Sequence, residues 1–473
     1  MKTISPIDDS VVWEGEETAV DEIPAVMERA ADAGQRWRRV SIDQRIAIIR
    51  RYSAYIDANR DAITDLIVRE VGKLPWDAAG EVNAAIAKAG VSIAALEQRR
   101  SDSVVDQGPP ARKIRYQPLG VAVVLGPFNF PLHLPGGQII PALLAGNAVV
   151  MKPSEQANAV AQWMADAWKH AGLPKDVFQL ILGRVEPATA AIDSPYTKGV
   201  FLTGGRAAGQ AIHRQLAGRY DVLLALELGG NNPVVVMGDV SPESVAMTVS
   251  FSSFISAGQR CTCARRAYFV EGIETDHQLK QLVERTNALR VGLPGDQPTA
   301  EVGPVISAKA ATSLKETYNR MVSLGCRELV AWQDSTRRAN LVHPVLLDAS
   351  GIDADAAAEL AAMEWFGPML MVHRTSDFEQ ALASAAATPY GLSAALLGGD
   401  QTLFDRFVGE IGAGVVNWNR ATTGAAGAMP FGGLGESGNH RPAGFHAIDF
   451  CSDPVASLES TSIEPSDPWS VVK

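Results

Sequence analysis

The spacing of apolar residues changes period near residue 100. From 22 to 100, apolar side chains recur at helical intervals (Ile46, Ile49, Ile56, Ile63, Leu66, Ile67) with charged residues between them. That pattern predicts consecutive amphipathic helices with a structural role. A Pro/Gly break at "DQGPPAR" leads into "KIRYQPLGVAVVLGPFNFP", a polar extended arm followed by an apolar strand. Beyond it, "NAVVMKP", "DVFQLIL", "GVFLTGG", "VLLALELGG" and "PVVVMG" read as short strands alternating with helices, Ser154 capping a helix that runs to Gly172. Such alternation predicts a parallel, doubly wound α/β sheet that binds ligands at the carboxyl ends of its strands.

Residues 241 to 257 read as a helix that delivers the chain to "SAGQRCTCARR", residues 256 to 266. After it, "RRAYFV", "LVHPVLL", "MLMVHR" and "GVVNWN" form a second set of strands and a second α/β region. The alternation in "AIDFCSDPVASLES" predicts a strand that pairs with the arm near residues 110 to 120 or with another subunit.

Length and charge narrow the picture. A chain of 473 residues exceeds one ordinary core and implies two or three units. With 47% hydrophobic and 20% charged residues it is globular, and no apolar run is long enough to span a bilayer. The start "MKTISPIDDSVVWEGEE" lacks the basic and apolar segments of a secretory signal, so the expected compartment is the cytoplasm, with reduced thiols. A net charge of −11 repels nucleic acid and anionic lipid, and any anionic ligand then requires a local basic pocket. Cys261, Cys263, Cys326 and Cys451 lack the paired spacing of a zinc site or a disulfide framework, so no metal is expected.

Several short stretches carry chemistry. In "FLTGGRAAGQ" a strand ends at Thr203, and Gly204 and Gly205 let a dinucleotide pyrophosphate approach the free N–H groups of the next helix; a plain glycine-rich turn is the alternative. "VVMKPSEQ" sets Lys152 and Glu155 past a strand end, where a carboxylate accepts hydrogen bonds from ribose hydroxyls and repels a 2′-phosphate; standing alone, such a stretch is more often a helix cap. "LELGGNNP" ends an apolar strand on Glu227, whose carboxyl should titrate high, as a general base working near neutral pH needs. Asn129 of "GPFNFP" offers an amide to a developing oxyanion, or simply makes a turn. A thiolate in the cysteine loop needs positive surroundings, and no histidine lies near in sequence. The loop by itself leaves open which cysteine, if either, is a nucleophile.

Taken in order, "GPFNFP", "KPSE", "TGG", "LELGG", "GQRC", "EWFGP" and "PFGG" resemble the motif series of the aldehyde dehydrogenase superfamily, over residues 5 to 460. Within it, "HLPGGQIIPALLAGN", "AGQRCTCARR", "NWNRATTGAA" and "SGNHRP" are similar to the N-succinylglutamate 5-semialdehyde dehydrogenases of the arginine succinyltransferase pathway. The resemblance implies an NAD-binding domain of residues 1–104 and 122–232 and a catalytic domain of 233–442. An oligomerisation arm with a C-terminal strand, 105–121 and 443–473, would join subunits into a homodimer or homotetramer. It implies Cys261 as nucleophile with Cys263 a neighbour, Asn129 and the Cys261 N–H as oxyanion hole, and Glu227 as base. For NAD it implies Lys152, Ser154 and Glu155 at the adenosine ribose, then Thr203, Gly204, Gly205, Gly209, Leu228 and Gly229, with Glu364 and Phe366 at the nicotinamide end.

Gly205 stands where the family usually has a serine, which leaves backbone donors for phosphate, and Met363 and Phe128 are further departures. The implied reaction oxidises a semialdehyde carrying carboxylates through a thiohemiacetal and a thioester, and Arg420, His440 and Arg441 are the basic residues expected to hold those carboxylates. The alternatives are another semialdehyde such as succinate semialdehyde, a cysteine hydrolase on the same fold, or a non-catalytic scaffold. Retention of Cys261, Glu227 and Asn129 together argues against the scaffold.

Overall fold

The computed structural model describes residues 1–108 and 110–463; the last ten positions of the expected C-terminal segment, 464–473, lie outside the described residues, as does Pro109. Four helices, Ile23–Trp37, Ile42–Ala58, Arg60–Val71 and Pro75–Arg99, occupy the N-terminal stretch as its periodicity predicts. A five-stranded, wholly parallel sheet follows in the order Phe178–Leu180, Ala148–Lys152, Val121–Leu125, Thr197–Thr203, Leu223–Glu227. Its strands are apolar on both faces, and alternate residues feed different cores. Val121, Val123 and Leu125 pack to one side with Ile23 and Met27, while Ala122 and Val124 pack to the other with Leu143 and Trp168. That two-sided burial is what a doubly wound parallel sheet requires.

The chain steps outward from Val121–Leu125, then returns to lay Thr197–Thr203 on its other side. The reversal leaves a crevice beyond the carboxyl ends of those two strands.

The second sheet has seven strands, with Asn232–Val236, Ala264–Val270 and Met369–Thr375 near its centre. It too separates two cores, Val234 and Phe269 facing one and Val235 and Tyr268 the other. All its pairings are parallel except Arg327–Val330 on Val345–Asp348 at one edge.

A third, three-stranded antiparallel sheet joins Ser103–Asp106, Ala111–Pro118 and Ser452–Glu459. The C-terminal strand therefore pairs with the arm of its own chain, register Ser452 on Pro118 through Glu459 on Ala111.

Two local expectations fail. Ser154 does not cap a helix: its hydroxyl accepts from Gln156 N at 3.3 Å, and the helix starts later, Asn158–His170. The buried Glu70 carboxylate, from the preceding helical region, accepts from Ala159 N at 2.6 Å and Val160 N at 2.8 Å and so satisfies that terminus. The helix before the cysteine loop ends at Phe254, because Ser256 and Ala257 both adopt a left-handed φ of 54°, which breaks the α-helical ladder.

Candidate active site

Cys261 sits at the amino ends of the second sheet, one short turn before Ala264–Val270. The loop is clamped from several directions. Asn232, the first residue of the adjacent strand, donates through Nδ2 to the carbonyls of Cys261 (2.7 Å) and Cys263 (2.8 Å). Arg265, fully buried, donates to Gly258 O at 2.7 Å and Gly367 O at 3.3 Å, and Gln259 Oε1 accepts from Ile306 N at 2.9 Å. Gly258 has φ 70°, and a Cβ there would stand 2.2 Å from the Gly367 backbone, so only glycine fits. Cys263 is fully buried, and its thiol donates to Ile255 O at 3.7 Å.

The arginines of "CARR" hold backbone carbonyls, and Arg266 is spent on Asn231, Ser384 and Ala385. The positive groups near the thiol, Arg260 and Arg265, are committed to Asp77 and to backbone carbonyls. Burial, with the Glu227 and Glu364 carboxylates nearby, pushes Cys261 up to about 12; Arg260 pulls weakly the other way. Raised in this way, the thiol is protonated at neutral pH, so attack needs a base. Glu227 ends its strand 5% exposed, its Oε1 has no hydrogen-bond partner, and burial holds its carboxyl well above the usual carboxylate range, as the sequence predicts. Asn129 is buried and donates from Nδ2 to Gln259 O at 2.9 Å, which leaves its second amide hydrogen uncommitted beside the cysteine loop.

Two cavities meet at Cys261. The first, about 560 Å³, opens along the crevice of the five-stranded sheet, with Asn129, Glu227 and Cys261 at its inner end. Lys152, Ser154, Glu155, Thr203, Gly204 and Gly205 line it at the strand ends, and Leu228, Gly229, Glu364 and Phe366 line it toward the thiol. Gly209 is not in the wall; a Cβ there would strike the Leu228 side chain at 2.7 Å, so it lets its helix pack against the sheet. Lys152 donates to Gly183 O at 3.0 Å.

Glu364 accepts from Gly230 N at 3.1 Å, and a Cβ on Gly229 would sit 1.9 Å from its carboxylate, so the Gly-Gly turn is required for that approach. The Phe366 ring stands edge-on to Phe128, centroids 5.9 Å apart. Gly205 has nothing within 4 Å of a built Cβ, an open cradle above the first N–H groups of Arg206–Gln215. Exposed backbone donors, a carboxylate at the mouth and an aromatic ring near the thiol fit a dinucleotide.

The second cavity, about 400 Å³, lies on the other side of the thiol. It is walled by Trp76, Phe130, Phe251 and Phe431 and by polar residues of the helix Pro75–Arg99. Arg420, His440 and Arg441 line neither cavity. All three are exposed; His440 and Arg441 adopt φ of 60° and 55°, a turn that sends the His440 ring against Phe450 (5.4 Å) and lays the Arg441 stem over Gly414. Lys88, His133 and Arg260 are the basic residues that do face this cavity. Lys88 was missed because the helical stretch reads as scaffold, whereas His133 at the head of "HLPGGQIIPALLAGN" and Arg260 of "GQRC" stood inside quoted motifs. Asn232 was also missed, though a polar residue opening the apolar run "NPVVV" marks it.

Among the described residues no cluster suited to a metal ion occurs, and no helix is long and apolar enough to cross a membrane. A curated N-succinylglutamate 5-semialdehyde dehydrogenase of Acinetobacter baylyi is 39% identical over 461 residues, 98% of this chain and 93% of that one. The glyceraldehyde-3-phosphate dehydrogenase GapN of Methanocaldococcus jannaschii, complexed with NADP, superposes with a TM-score of 0.90 at 25% identity, covering 98% of this chain and 99% of its own. An NADP-dependent enzyme of E. coli gives 0.90 at 26% identity, covering 96% and 94%. Residues 1–455 match the aldehyde dehydrogenase family, and the chain belongs to that family, as an oxidoreductase that acts on aldehydes with a nicotinamide cofactor.

Proposed function

We propose that this protein oxidises N-succinyl-L-glutamate 5-semialdehyde to N-succinyl-L-glutamate, a step of arginine catabolism, using NAD. The observation that carries the mechanism is the position of Cys261 where two cavities meet, beside a buried carboxylate that has an unpartnered oxygen. The relative from A. baylyi supports the substrate. The exposed Glu155 carboxylate at the mouth of the first cavity supports NAD over NADP, because it repels a 2′-phosphate.

In this reading Glu227 takes the Cys261 proton, and the sulfur bonds to the aldehyde carbon. The resulting oxyanion accepts hydrogen bonds from Asn129 Nδ2 and the Cys261 N–H. A bound nicotinamide would supply the acceptor for the hydride of this thiohemiacetal carbon. Glu364 and Phe366 would hold that end of the cofactor; Lys152, Ser154 and Glu155 would hold the far ribose, and Thr203, Gly204, Gly205, Leu228 and Gly229 would shape the channel between. Glu227, having released that first proton to solvent, then takes a proton from water as the water oxygen adds to the thioester carbon; the C–S bond breaks, Glu227 returns this proton to the sulfur, and the product acid loses its own proton to solvent and leaves as the carboxylate, with Cys261 restored as a thiol.

We place the enzyme in the cytoplasm as a homodimer or homotetramer. The small antiparallel sheet supports the assembly, because its edge strand Ser103–Asp106 is wholly exposed, with Val104 and Val105 bare. Initial rates with this semialdehyde, succinate semialdehyde and hexanal, each with NAD and NADP, test the substrate and cofactor. A larger kcat/KM for either other aldehyde would sink the substrate; faster turnover with NADP would sink the cofactor.

A further inference from the structure

The second cavity contains one charge that no group among the described residues answers. On Pro75–Arg99, the residues Asp77, Glu81, Ala84 and Lys88 fall at intervals of four, three and four, and so line the cavity as one face. Asp77 is matched by Arg260 at 2.7 Å, next to the thiol. Glu81 is matched by Lys73 at 2.6 Å and also accepts from Leu132 N at 2.9 Å. Lys88, about three helical turns from Asp77, is 6% exposed and forms no ion pair and no hydrogen bond among the described residues.

A buried ammonium without a counter-charge costs several kcal/mol, and proteins normally pair such groups. The surroundings do not relieve it. His133 is held neutral, down to about 3, by burial and then by the charges of Lys88 and Lys73. Gly137, on the facing helix, brings only backbone: a Cβ there would stand 3.6 Å from Lys88 Cε and Nζ. The residual charge of this face is therefore the single positive charge of Lys88, in an apolar chamber that ends at Cys261.

We propose that Lys88 is the specificity residue of this enzyme: its ammonium receives a carboxylate of the substrate while the aldehyde carbon lies at Cys261. The inference rests on the semialdehyde reading above. It replaces Arg420, His440 and Arg441 with a residue inside the chamber, and it supplies the local basic pocket that an acidic protein needs for an anionic substrate. The Lys88–carboxylate pair forms in an apolar wall where charge-assisted contacts are strong.

The test compares Lys88→Met and Lys88→Arg with the parent enzyme on N-succinyl-L-glutamate 5-semialdehyde and on hexanal. Lys88→Met keeps the volume of the stem and removes an unmatched charge, so the thermal midpoint should hold or rise. It should raise KM for the charged aldehyde about 10- to 100-fold, with kcat and the hexanal KM within about threefold. Lys88→Arg should recover most of that KM. Equal shifts for both aldehydes, or an unchanged preference in Lys88→Met, would overturn the role of Lys88 while leaving the substrate reading intact. A parent enzyme that fails to prefer the carboxylated aldehyde over hexanal would overturn both.

Discussion

The two cavities that meet at Cys261 are built by different rules. The larger one is built around the ends of successive strands and the turns that follow them, at 125–129, 152–155, 202–205 and 227–229. The smaller is made of side chains from a helix at 76–88, a turn at 130–134, the cysteine loop and a stretch at 424–444. In the first, the wall follows the strand ends of one sheet, and ligand chemistry is generic to the sheet crevice. In the second, aromatic and charged side chains such as Trp76, Phe130, Phe251, Lys88 and Arg260 are brought together from elements hundreds of residues apart. The difference teaches where identity resides: the cofactor side is prescribed by the fold, and the aldehyde side by the particular helices that close it.

Substitutions at the junction should abolish activity with any substrate and cofactor. Cys261→Ser should lower kcat by at least about 10³-fold, because an alcohol is a far poorer nucleophile than a thiol. Cys263→Ser should retain appreciable activity, since its side chain only packs and donates to Ile255 O. Equal losses in the two variants would erase the distinction between nucleophile and neighbour. Glu227→Gln should slow turnover about 10²- to 10⁴-fold and suppress the burst of reduced nucleotide as well, because the same carboxylate takes the Cys261 proton before hydride transfer and activates water after it. The working form of Glu227 is the carboxylate and burial raises its pKa, so parent kcat should climb with pH through that raised value. Loss of that climb in Glu227→Gln is the expected result, and a profile unchanged by the substitution would remove Glu227 from the mechanism.

Smaller effects should sort by side. Gly229→Ala sets a methyl 1.9 Å from the Glu364 carboxylate and should raise the cofactor KM about tenfold or more, with little change in the aldehyde KM. An aldehyde KM that moved as far as the cofactor KM would merge the two sides. Smallest of all, Arg441→Ala should change KM less than about twofold for charged and uncharged aldehydes alike, as an exposed side chain outside both cavities. A rise confined to charged aldehydes would return the substrate carboxylate to Arg441.

Much of the first side was legible in the sequence because its residues come in short runs with a physical signature. An apolar strand, a glycine turn and a polar residue at the strand end were read together at Lys152, Thr203 and Glu227. Gly209 misled, because a glycine that lets a helix approach a strand leaves the same trace as one that lets phosphate approach. The second side was nearly silent. Lys73, Glu81 and Lys88 sit in a stretch whose charges were assigned to solvent, yet all three are buried. Helical periodicity marks which residues share a face and carries no information about what covers that face. Arg441 fell the other way: it was chosen for the carboxylate chemistry of its guanidinium, which does not say where the side chain lies, and it stands exposed outside both cavities. Glu70 as the cap of a helix that begins 88 residues later was beyond any local rule.

The Gly-Gly turn has a final consequence. Glu227 closes the last strand of one sheet, and Asn232 opens the first strand of the other, only five Cα steps away, at most about 18 Å when fully stretched. Asn232 in turn grips the carbonyl of Cys261. Base and nucleophile are thus moored to opposite ends of one short tether, which limits how far the proton acceptor can lie from the sulfur it must serve.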